Sequence, residues 1–272
     1  MDVDKRSQAF HSGLSTTYVI SAPPKPLDAK LIDRGEERQI GTAMLSSMNE
    51  EQKEVAKLIL ESARSESSQN CFYIDAPGRT GETYLFTCFA HHLEGEGILT
   101  LCLASSGIAA SLLPRGTTVH TGLSLPLDLT KDSRLSFNNR SVRADKLQQV
   151  RVILWDEAPM LSSTALEVIE VSLRQLMGND IPFGGKIIVL GGDFRQIPPV
   201  IPHGSEAKQQ LSECIKRSLS WKHFHDLRLT KNLRARPEQI EFSNRLLQLG
   251  ERKQPTTDDQ NEIPQQCITE VQ

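Results

Sequence analysis

The chain has 272 residues, and its 31 Lys and Arg against 34 Asp and Glu give a net charge of −3. This balance excludes a strongly basic nucleic-acid-binding protein, so any contact with DNA has to come from a local patch. The chain is long enough to bury a sizeable core, and it contains no apolar run of about 18 residues that would predict a membrane span.

Three regions differ in composition. Residues 1–45 contain a Pro-rich stretch and no lasting apolar period, which predicts a flexible N-terminal segment. Residues 46–250 carry regularly spaced apolar segments and are predicted to hold the fold. Residues 251–272 are rich in Gln, Asp, Thr and Pro and predict a polar tail, or the beginning of a further domain. The first residues include acids and no apolar stretch, so a secretory signal is not predicted.

The cysteines point to an intracellular protein. There are 5 of them, with no CxxC spacing, and most lie inside apolar runs. This pattern predicts reduced, buried thiols rather than disulfides or a zinc site.

Helix and strand patterns alternate along the middle of the chain. Continuous apolar strands separated by helices predict an α/β fold, with a parallel sheet covered by helices on both faces. In such sheets the chemistry collects beyond the carboxyl ends of the strands. In chain order we predict a helix opening at 49–52, a strand at 71–74, a helix from about 83, a strand at 98–103, a strand at 152–155, a helix over 166–178 and a strand at 187–190.

The turn after the first predicted strand partly matches a phosphate-binding loop. That loop, G-x-x-x-x-G-K-[ST], needs glycines for a tight anion-binding turn, a Lys for the phosphates and a hydroxyl for Mg²⁺. Here Ala76 takes the position of the first Gly and Glu82 that of the Lys, so only Gly81 and Thr83 match. On these residues alone, an ordinary strand-to-helix turn is favoured.

Acidic and amide side chains follow two of the later strands. Asp156 at a strand end can hold Mg²⁺, and the adjacent Glu157 can activate a water for attack on a γ-phosphate. The alternative is a solvated acidic loop, which the preceding apolar run makes less favourable. Gln196, after the strand at 187–190, can orient a water or sense a γ-phosphate, or it can belong to a solvated Gly/Pro turn.

Three further segments each allow two interpretations. Arg234 can pair with phosphate oxygens, although a surface Arg is the simpler interpretation. The small residues and hydroxyls of 104–110 can let a DNA backbone approach, or they can allow close packing of a helix on the sheet. Gln52 can form a capping box with Asn49 or read an adenine edge.

Together these segments resemble the Pif-one/Helitron type of superfamily 1B DNA helicase over about residues 46–250. The most specific strings are Asp156-Glu157-Ala158-Pro159-Met160 and the segment 190–199. The resemblance implies a RecA-like P-loop NTPase domain that hydrolyses ATP and moves 5′ to 3′ on single-stranded DNA. It also implies work in DNA repair, recombination and telomere or genome maintenance, in the nucleus, with the mitochondrion as the alternative. The other matching segments are 49–52, 75–83, 104–110, 118–121, 183–186 and 229–234.

The resemblance further implies individual roles. ATP would be held by Gln52, Gly78, Arg79, Thr80, Gly81, Glu82 and Thr83, and Mg²⁺ by Thr83 and Asp156. Glu157 would be the catalytic base, Gln196 the γ-phosphate sensor and Arg234 the residue that stabilises the transition state. Single-stranded DNA would lie along Ser105, Ser106, Gly107, Ile108, Ala109 and His120.

Two features depart from the family pattern. The loop should read close to GPGGTGKT, and it differs at Ala76, Arg79 and Glu82. We also expect the second RecA-like lobe to be missing after residue 250, unless a separate chain supplies it. The prediction is therefore a partial or degenerate helicase with impaired ATP hydrolysis and no membrane partner. The alternatives are a non-hydrolysing single-stranded DNA-binding module and an inert transposon-derived remnant.

Overall fold

The computed structural model describes residues 33–65, 69–137, 141–196 and 213–233, and the backbone of 256–257 and 260–261. The helices are α1 (Arg34–Ser47), α2 (Glu50–Arg64), α3 (Glu82–Gly95), α4 (Gly107–Leu112), α5 (Val119–Leu123), α6 (Val142–Gln149) and α7 (Ser163–Met177). The strands are β1 (Cys71–Asp75), β2 (Thr100–Ala104), β3 (Thr117–Thr118), β4 (Val152–Asp156), β5 (Ile187–Gly192), β6 (His225–Arg228), β7 (Thr256–Thr257) and β8 (Gln260–Asn261).

Strands β1 to β6 form one parallel sheet in the order β3-β2-β4-β5-β1-β6. One core packs α2, α3 and α4 against one face, and a second core packs α5, α6 and α7 against the other. The predicted parallel sheet with helices on both faces is thus confirmed. Among the described residues, no helix combines the length and apolarity that crossing a bilayer requires.

Period-two alternation explains why the central strands are apolar throughout. In β1, Phe72 and Ile74 enter one core, while Cys71 and Tyr73 enter the other. Both faces are covered, so neither set of side chains can be polar. The edge strands β3 and β6 were not predicted. The first has only 2 residues, and the second reads HDLR with most side chains exposed.

Helix α1 corrects the prediction of a flexible segment for residues 34–45. It begins after Asp33, whose side chain accepts hydrogen bonds from the Gly35 and Glu36 backbone N–H groups. Its close crossing with α3 lies at glycines, and Met44 and Leu45 near its C-terminus pack against the core. Residues 1–32 lie outside the described part of the chain, so the prediction for them is untested.

Glycines let α1 and α3 cross at close range. A Cβ on Gly41 would lie 2.6 Å from the His92 backbone, and one on Gly95 would lie 2.6 Å from the Arg38 backbone. No side chain fits there unless the helices move apart.

We expect Gly41→Ala to lower the free energy of unfolding by about 1–3 kcal/mol, because overpacking outweighs the better helix propensity of Ala. Urea denaturation measures the change. The control is Thr42→Ala, the next and exposed residue of α1, which should shift stability by less than about 0.5 kcal/mol. Equal stability of Gly41→Ala and the parent chain would contradict the close crossing.

The predicted buried thiols are confirmed where the structure describes them. Cys71, Cys88 and Cys102 are buried and unpaired, and Cys214 is partly exposed. Burial raises the pKa of each of the three buried thiols to about 12, which keeps them protonated and unreactive. Cys267 lies outside the described residues.

Candidate functional site

An open cleft of about 510 Å³ lies at the carboxyl ends of β1, β4 and β5. The loop 76–84 forms one wall, and Asp156 and Glu157, which follow β4, form another. Asp193 and Gln196, which follow β5, complete the polar lining. Parallel strands end at the same edge of a sheet, so segments far apart in sequence meet there.

The backbone of the loop after β1 keeps a glycine-type conformation at two positions. Gly81, the N-cap of α3, has φ 85°, and Arg79 has φ 74°. Glycine adopts this left-handed region freely, whereas a residue with a Cβ is strained in it. Arg79 is one of the residues at which the loop departs from the family pattern, so a side chain occupies a position whose backbone conformation favours glycine.

We expect Arg79→Gly to raise the free energy of unfolding by about 1 kcal/mol, because it removes the left-handed strain. The Arg79 side chain is exposed, so little packing is lost. Thermal or urea denaturation measures the gain. Arg79→Ala removes the same side chain but keeps the Cβ, and it should leave stability nearly unchanged. A gain as large for Ala as for Gly would show that the side chain, not the backbone, carries the strain.

Gln52 is buried and ties α2 to this loop. Its backbone N–H donates to Asn49 Oδ1 at 3.0 Å, and its Oε1 accepts from the Asn49 N–H at 3.3 Å, which completes the capping box. Its Nε2 donates to the Thr80 carbonyl at 3.1 Å. The side chain therefore caps α2 and holds the loop. The adenine contact remains a prediction.

Glu82 points into the cleft and meets other carboxylates. Asp156 is the carboxylate with the largest effect on it, and Glu82 Oε1 is buried without a hydrogen-bond partner. Burial raises the pKa of Glu82 well above its ordinary value, and the nearby Asp156, Asp193 and Glu157 carboxylates raise it further. Both effects favour the uncharged form of the Glu82 carboxyl, at a position where the family pattern has a cation.

The lining of the cleft is acidic as a whole. Among the lining residues that the structure describes, Glu82, Asp156, Glu157 and Asp193 are acidic, and Arg79 is the one basic residue. Thr80 Oγ1 and Glu82 Oε1 are both buried without hydrogen-bond partners. The backbone of the loop suits an anion better than its side chains do.

Oxygen ligands suitable for Mg²⁺ lie between α3 and β4. Thr83 Oγ1 donates to Asp156 Oδ2 at 3.4 Å, and the Glu157 N–H donates to Asp156 Oδ1 at 2.8 Å. Burial raises the pKa of Asp156, and these hydrogen bonds offset part of the rise. One hydroxyl and one carboxylate fit an ion that takes its other ligands from water and substrate phosphate. In the described residues, no group of three or more His, Cys, Asp or Glu side chains is placed to hold a metal by itself.

Gln196 is held against the loop by a network that the sequence did not reveal. Its Nε2 donates to Asp193 Oδ2 at 2.8 Å and lies 3.0 Å from the position of a Cβ on Gly78. Arg195 Nε donates to Asp193 Oδ1 at 2.5 Å, and its Nη2 donates to Asp75 Oδ1 at 2.6 Å. Asp193 thus orients Gln196. The only sequence signal was the place of Asp75 and Asp193 at two neighbouring strand ends.

The segment predicted to contact DNA follows β2, beside β4. Ser105 and Ser106 are half-buried, Ile108 is 81% exposed, and Ala109 is buried. A second cavity of about 610 Å³ lies beside this segment and includes Ser105 and His120 in its lining. His120 Nδ1 is hydrogen-bonded to the Leu125 carbonyl at 3.1 Å.

Arg234 lies outside the described residues, so its predicted role is untested. The residue before it is placed: the Leu233 N–H donates to the Arg79 carbonyl at 2.9 Å, and Leu233 lines the cleft. The described chain therefore approaches the loop up to Leu233.

Comparison with known proteins identifies the family. The model of the PIF1-like helicase matches residues 47–260. The chain belongs to the PIF1-like helicase family. The match extends past residue 250, which the sequence predicted as the end of the folded region.

Individual PIF1-like relatives agree with this assignment. The chain is 31% identical over 157 residues to the ATP-dependent DNA helicase Pif1 of Psychrobacter, covering 57% of this chain and 23% of that protein. It is 29% identical over 177 residues to the mouse ATP-dependent DNA helicase PIF1, covering 64% and 25%.

A solved PIF1-like structure shows the same fold. Pif1 helicase from Bacteroides, in complex with ADP-AlF3 and single-stranded DNA, superposes with a TM-score of 0.61 at 26% identity. The match covers 78% of this chain and 47% of that one. The chain thus spans about a quarter of the curated relatives' length and about half of the solved chain.

Proposed function

We propose that residues 46–250 form the first, nucleotide-binding lobe of a 5′–3′ PIF1-like DNA helicase whose ATP hydrolysis is impaired. The observation that carries this proposal is the cleft, in which the loop 76–84, Asp156, Glu157 and Gln196 face one another. The Bacteroides relative was solved with ADP-AlF3 and single-stranded DNA, which supports ATP and a DNA strand as the ligands.

In this proposal the residues of the cleft divide the work. Thr83 and Asp156 would hold Mg²⁺, which would supply positive charge to a bound triphosphate. Glu157 accepts a proton from the attacking water, and Gln196 orients that water while Asp193 fixes its amide. Arg234 supplies a cation to the transition state. Gln52 and residues 78–83 contact the nucleotide.

The charge of the loop is the reason to expect impaired turnover. A Lys at position 82 would place a cation beside the β- and γ-phosphates. Glu82 instead adds a carboxyl to an acidic cleft that already holds Asp156. Arg79 is the sole basic residue in the described lining, and it lies three positions before Glu82 rather than in its place.

Because the acidic cleft disfavours ATP, a second candidate function is a single-stranded DNA-binding module that does not hydrolyse ATP. The predicted DNA segment after β2 does not include the altered loop positions. The two candidates differ in whether phosphate release can be detected, and in whether Glu82→Lys restores it.

We expect weak, salt-sensitive binding of single-stranded DNA and no unwinding by this chain alone. The net charge is −3, so few DNA phosphates can be neutralised. We therefore expect a Kd within the non-specific range of about 10⁻⁶–10⁻⁴ M, and an affinity that decreases only gradually as salt is added. Fluorescence anisotropy with an oligonucleotide across a salt series measures both. Ile108→Glu, which adds a charge on the predicted DNA segment, should weaken binding about fivefold.

Val142→Glu is the matched control for that experiment. Val142 is 71% exposed and Ile108 is 81% exposed, and the two belong to helices on opposite faces of the sheet. The two variants have the same net charge. Equal loss of affinity in both would show a non-specific charge effect. Robust ATP-driven strand separation by the chain would contradict the proposed impairment.

Unwinding requires a second RecA-like lobe, and we propose that a further part of the protein or a separate chain supplies it. Analytical ultracentrifugation of the chain with a candidate second-lobe chain tests the latter. We propose the nucleus as the place of action, because the substrate is DNA, with the mitochondrion as the alternative.

A further inference from the structure

The two predicted functional surfaces are joined by one hydroxyl. Ser106 lies in the segment predicted to contact DNA, and its Oγ donates to Oε2 of Glu157, the predicted catalytic base, at 2.7 Å. The same Oγ accepts from the Ala109 N–H at 3.2 Å and so caps α4. Its single proton is therefore committed to Glu157.

Adjacent contacts hold these two segments in register. The Ser105 N–H donates to the Asp156 carbonyl at 3.1 Å, and Trp155 Nε1 donates to Ser105 Oγ at 3.1 Å. Ala104 at the end of β2 pairs with Asp156 at the end of β4. A displacement of the Ser105–Ser106 segment is thus transmitted to the acidic segment.

Glu157 is held in a conformation that needs outside support. Its φ and ψ are 54° and 34°, in the left-handed region that a residue with a Cβ disfavours. Such conformations persist where surrounding contacts fix them, and they concentrate at functional sites. The Ser106 hydrogen bond fixes the carboxylate of Glu157.

The outer side of the Ser106 segment is open. A Cβ on Gly107 would meet no atom within 4 Å, and Ile108 is 81% exposed. A DNA strand along this segment can approach the Ser106 hydroxyl because Gly107 has no side chain in the way.

We propose that Ser106 is a positioning residue that couples the DNA strand to Glu157. A hydroxyl has one proton, so donation to a DNA phosphate oxygen breaks the bond to the Glu157 carboxylate. In the free chain Ser106 holds that carboxylate, and strand binding releases it to the cleft. This inference rests on the proposed function, since it assumes that a single strand binds along the segment.

The coupling is measured by a double-mutant cycle on affinity for a fluorescent oligonucleotide, without nucleotide. Glu157→Ala frees the Ser106 proton and removes a charge, so it should tighten binding. Ser106→Gly removes the hydroxyl and keeps a good N-cap residue. In the Ser106→Gly background only the charge effect of Glu157→Ala should remain. Glu157→Ala should therefore lower the Kd about tenfold more in the parent chain than in the Ser106→Gly background. Tenfold corresponds to the typical contribution of a hydrogen bond to a charged group.

Two further variants separate coupling from structure. Ser106→Thr keeps both the cap and the donor, so it should restore the coupling. Ser111→Ala removes a hydroxyl on the same helix that bonds only to the Ile108 carbonyl, and it should show no coupling to Glu157. Circular dichroism of each variant establishes that α4 and the sheet remain folded.

The outcomes separate the inference from the proposed function. If the chain binds DNA and the two substitutions are additive, Ser106 does not couple the sites, and the proposed function stands. The same holds if Ser111→Ala couples as strongly as Ser106→Gly. If no variant binds the oligonucleotide, both the proposed function and the coupling are wrong.

Discussion

Glu82→Lys is expected to strengthen binding of Mg²⁺-ATP about a thousandfold. Two unit charges 4 Å apart interact by about 4 kcal/mol at an effective dielectric constant of 20, and each 1.4 kcal/mol is a factor of ten. The environment of Glu82 decides which part of the charge change matters. Burial and the neighbouring carboxylates raise the pKa of Glu82 and so favour its uncharged form, which makes the missing cation a larger defect than added repulsion.

Three comparison variants make this prediction specific. Glu82→Gln replaces a neutral acid by a neutral amide of the same shape, so affinity should change little. Ala76→Gly and Arg79→Gly relax the loop without supplying a cation, so each should help less than the Lys. Calorimetric titration of Mg²⁺-ATP measures the four variants and the unaltered chain. Micromolar affinity in the unaltered chain, with no gain from the Lys, would show that residues 76–83 are not an impaired phosphate loop.

The free energy of unfolding is expected to fall as pH rises above about 4.5, the ordinary pKa of Glu82. The folded-state pKa of Glu82 is raised, so in this window the folded chain binds more protons than the unfolded chain. Stability is then present below the unfolded pKa and is lost as pH rises towards the folded one. The slope from this group is at most about 1.4 kcal/mol per pH unit.

Glu82→Gln should flatten this fall, because its amide does not ionise. Urea denaturation of both chains between about pH 4.5 and 7.5 measures the difference, and the Gln variant should be the more stable at the upper end by over about 1.4 kcal/mol. We set the upper limit at pH 7.5 because a second group titrates above it: burial lowers the pKa of Lys186 from 10.5 to about 8. Between those two values Lys186 makes the folded chain more stable as the pH rises. Parallel curves for the two chains would mean that Glu82 is ionised when folded.

Both predictions have one physical origin. The α3 N-terminus carries a carboxyl into a space already occupied by Asp156, with Asp193 and Glu157 nearby. A Cβ on Gly191 would lie 2.0 Å from Glu82 Oε1. The Glu82 side chain therefore fits against β5 only because residue 191 is a glycine. This environment raises the pKa of the Glu82 carboxyl, and both predictions depend on that rise.

The sequence by itself determined the architecture. β1, β2, β4 and β5 are buried on both faces, so their apolar runs identified a parallel sheet. The Asp156-Glu157 pair and the string around Gln196 carried the resemblance to the family. Their places at strand ends predicted a common cleft, because the carboxyl ends of parallel strands lie at one edge of a sheet. The Asn49–Gln52 capping box was also readable, since its signal is local.

Only the tertiary structure decided the features that depend on side chains distant in sequence. The packing of α1 rests on Gly41 crossing α3, and no apolar period marks such a contact. The edge strand β6 could not be predicted from an apolar run, because most of its side chains are exposed and polar residues are tolerated there. The raised pKa of Glu82 depends on its burial and on carboxylates that follow β4 and β5, and the hydrogen bond from Ser106 to Glu157 joins the ends of two neighbouring strands. Residue types fix what each group can do, but burial and distance, which only folding sets, decide its charge and its partner.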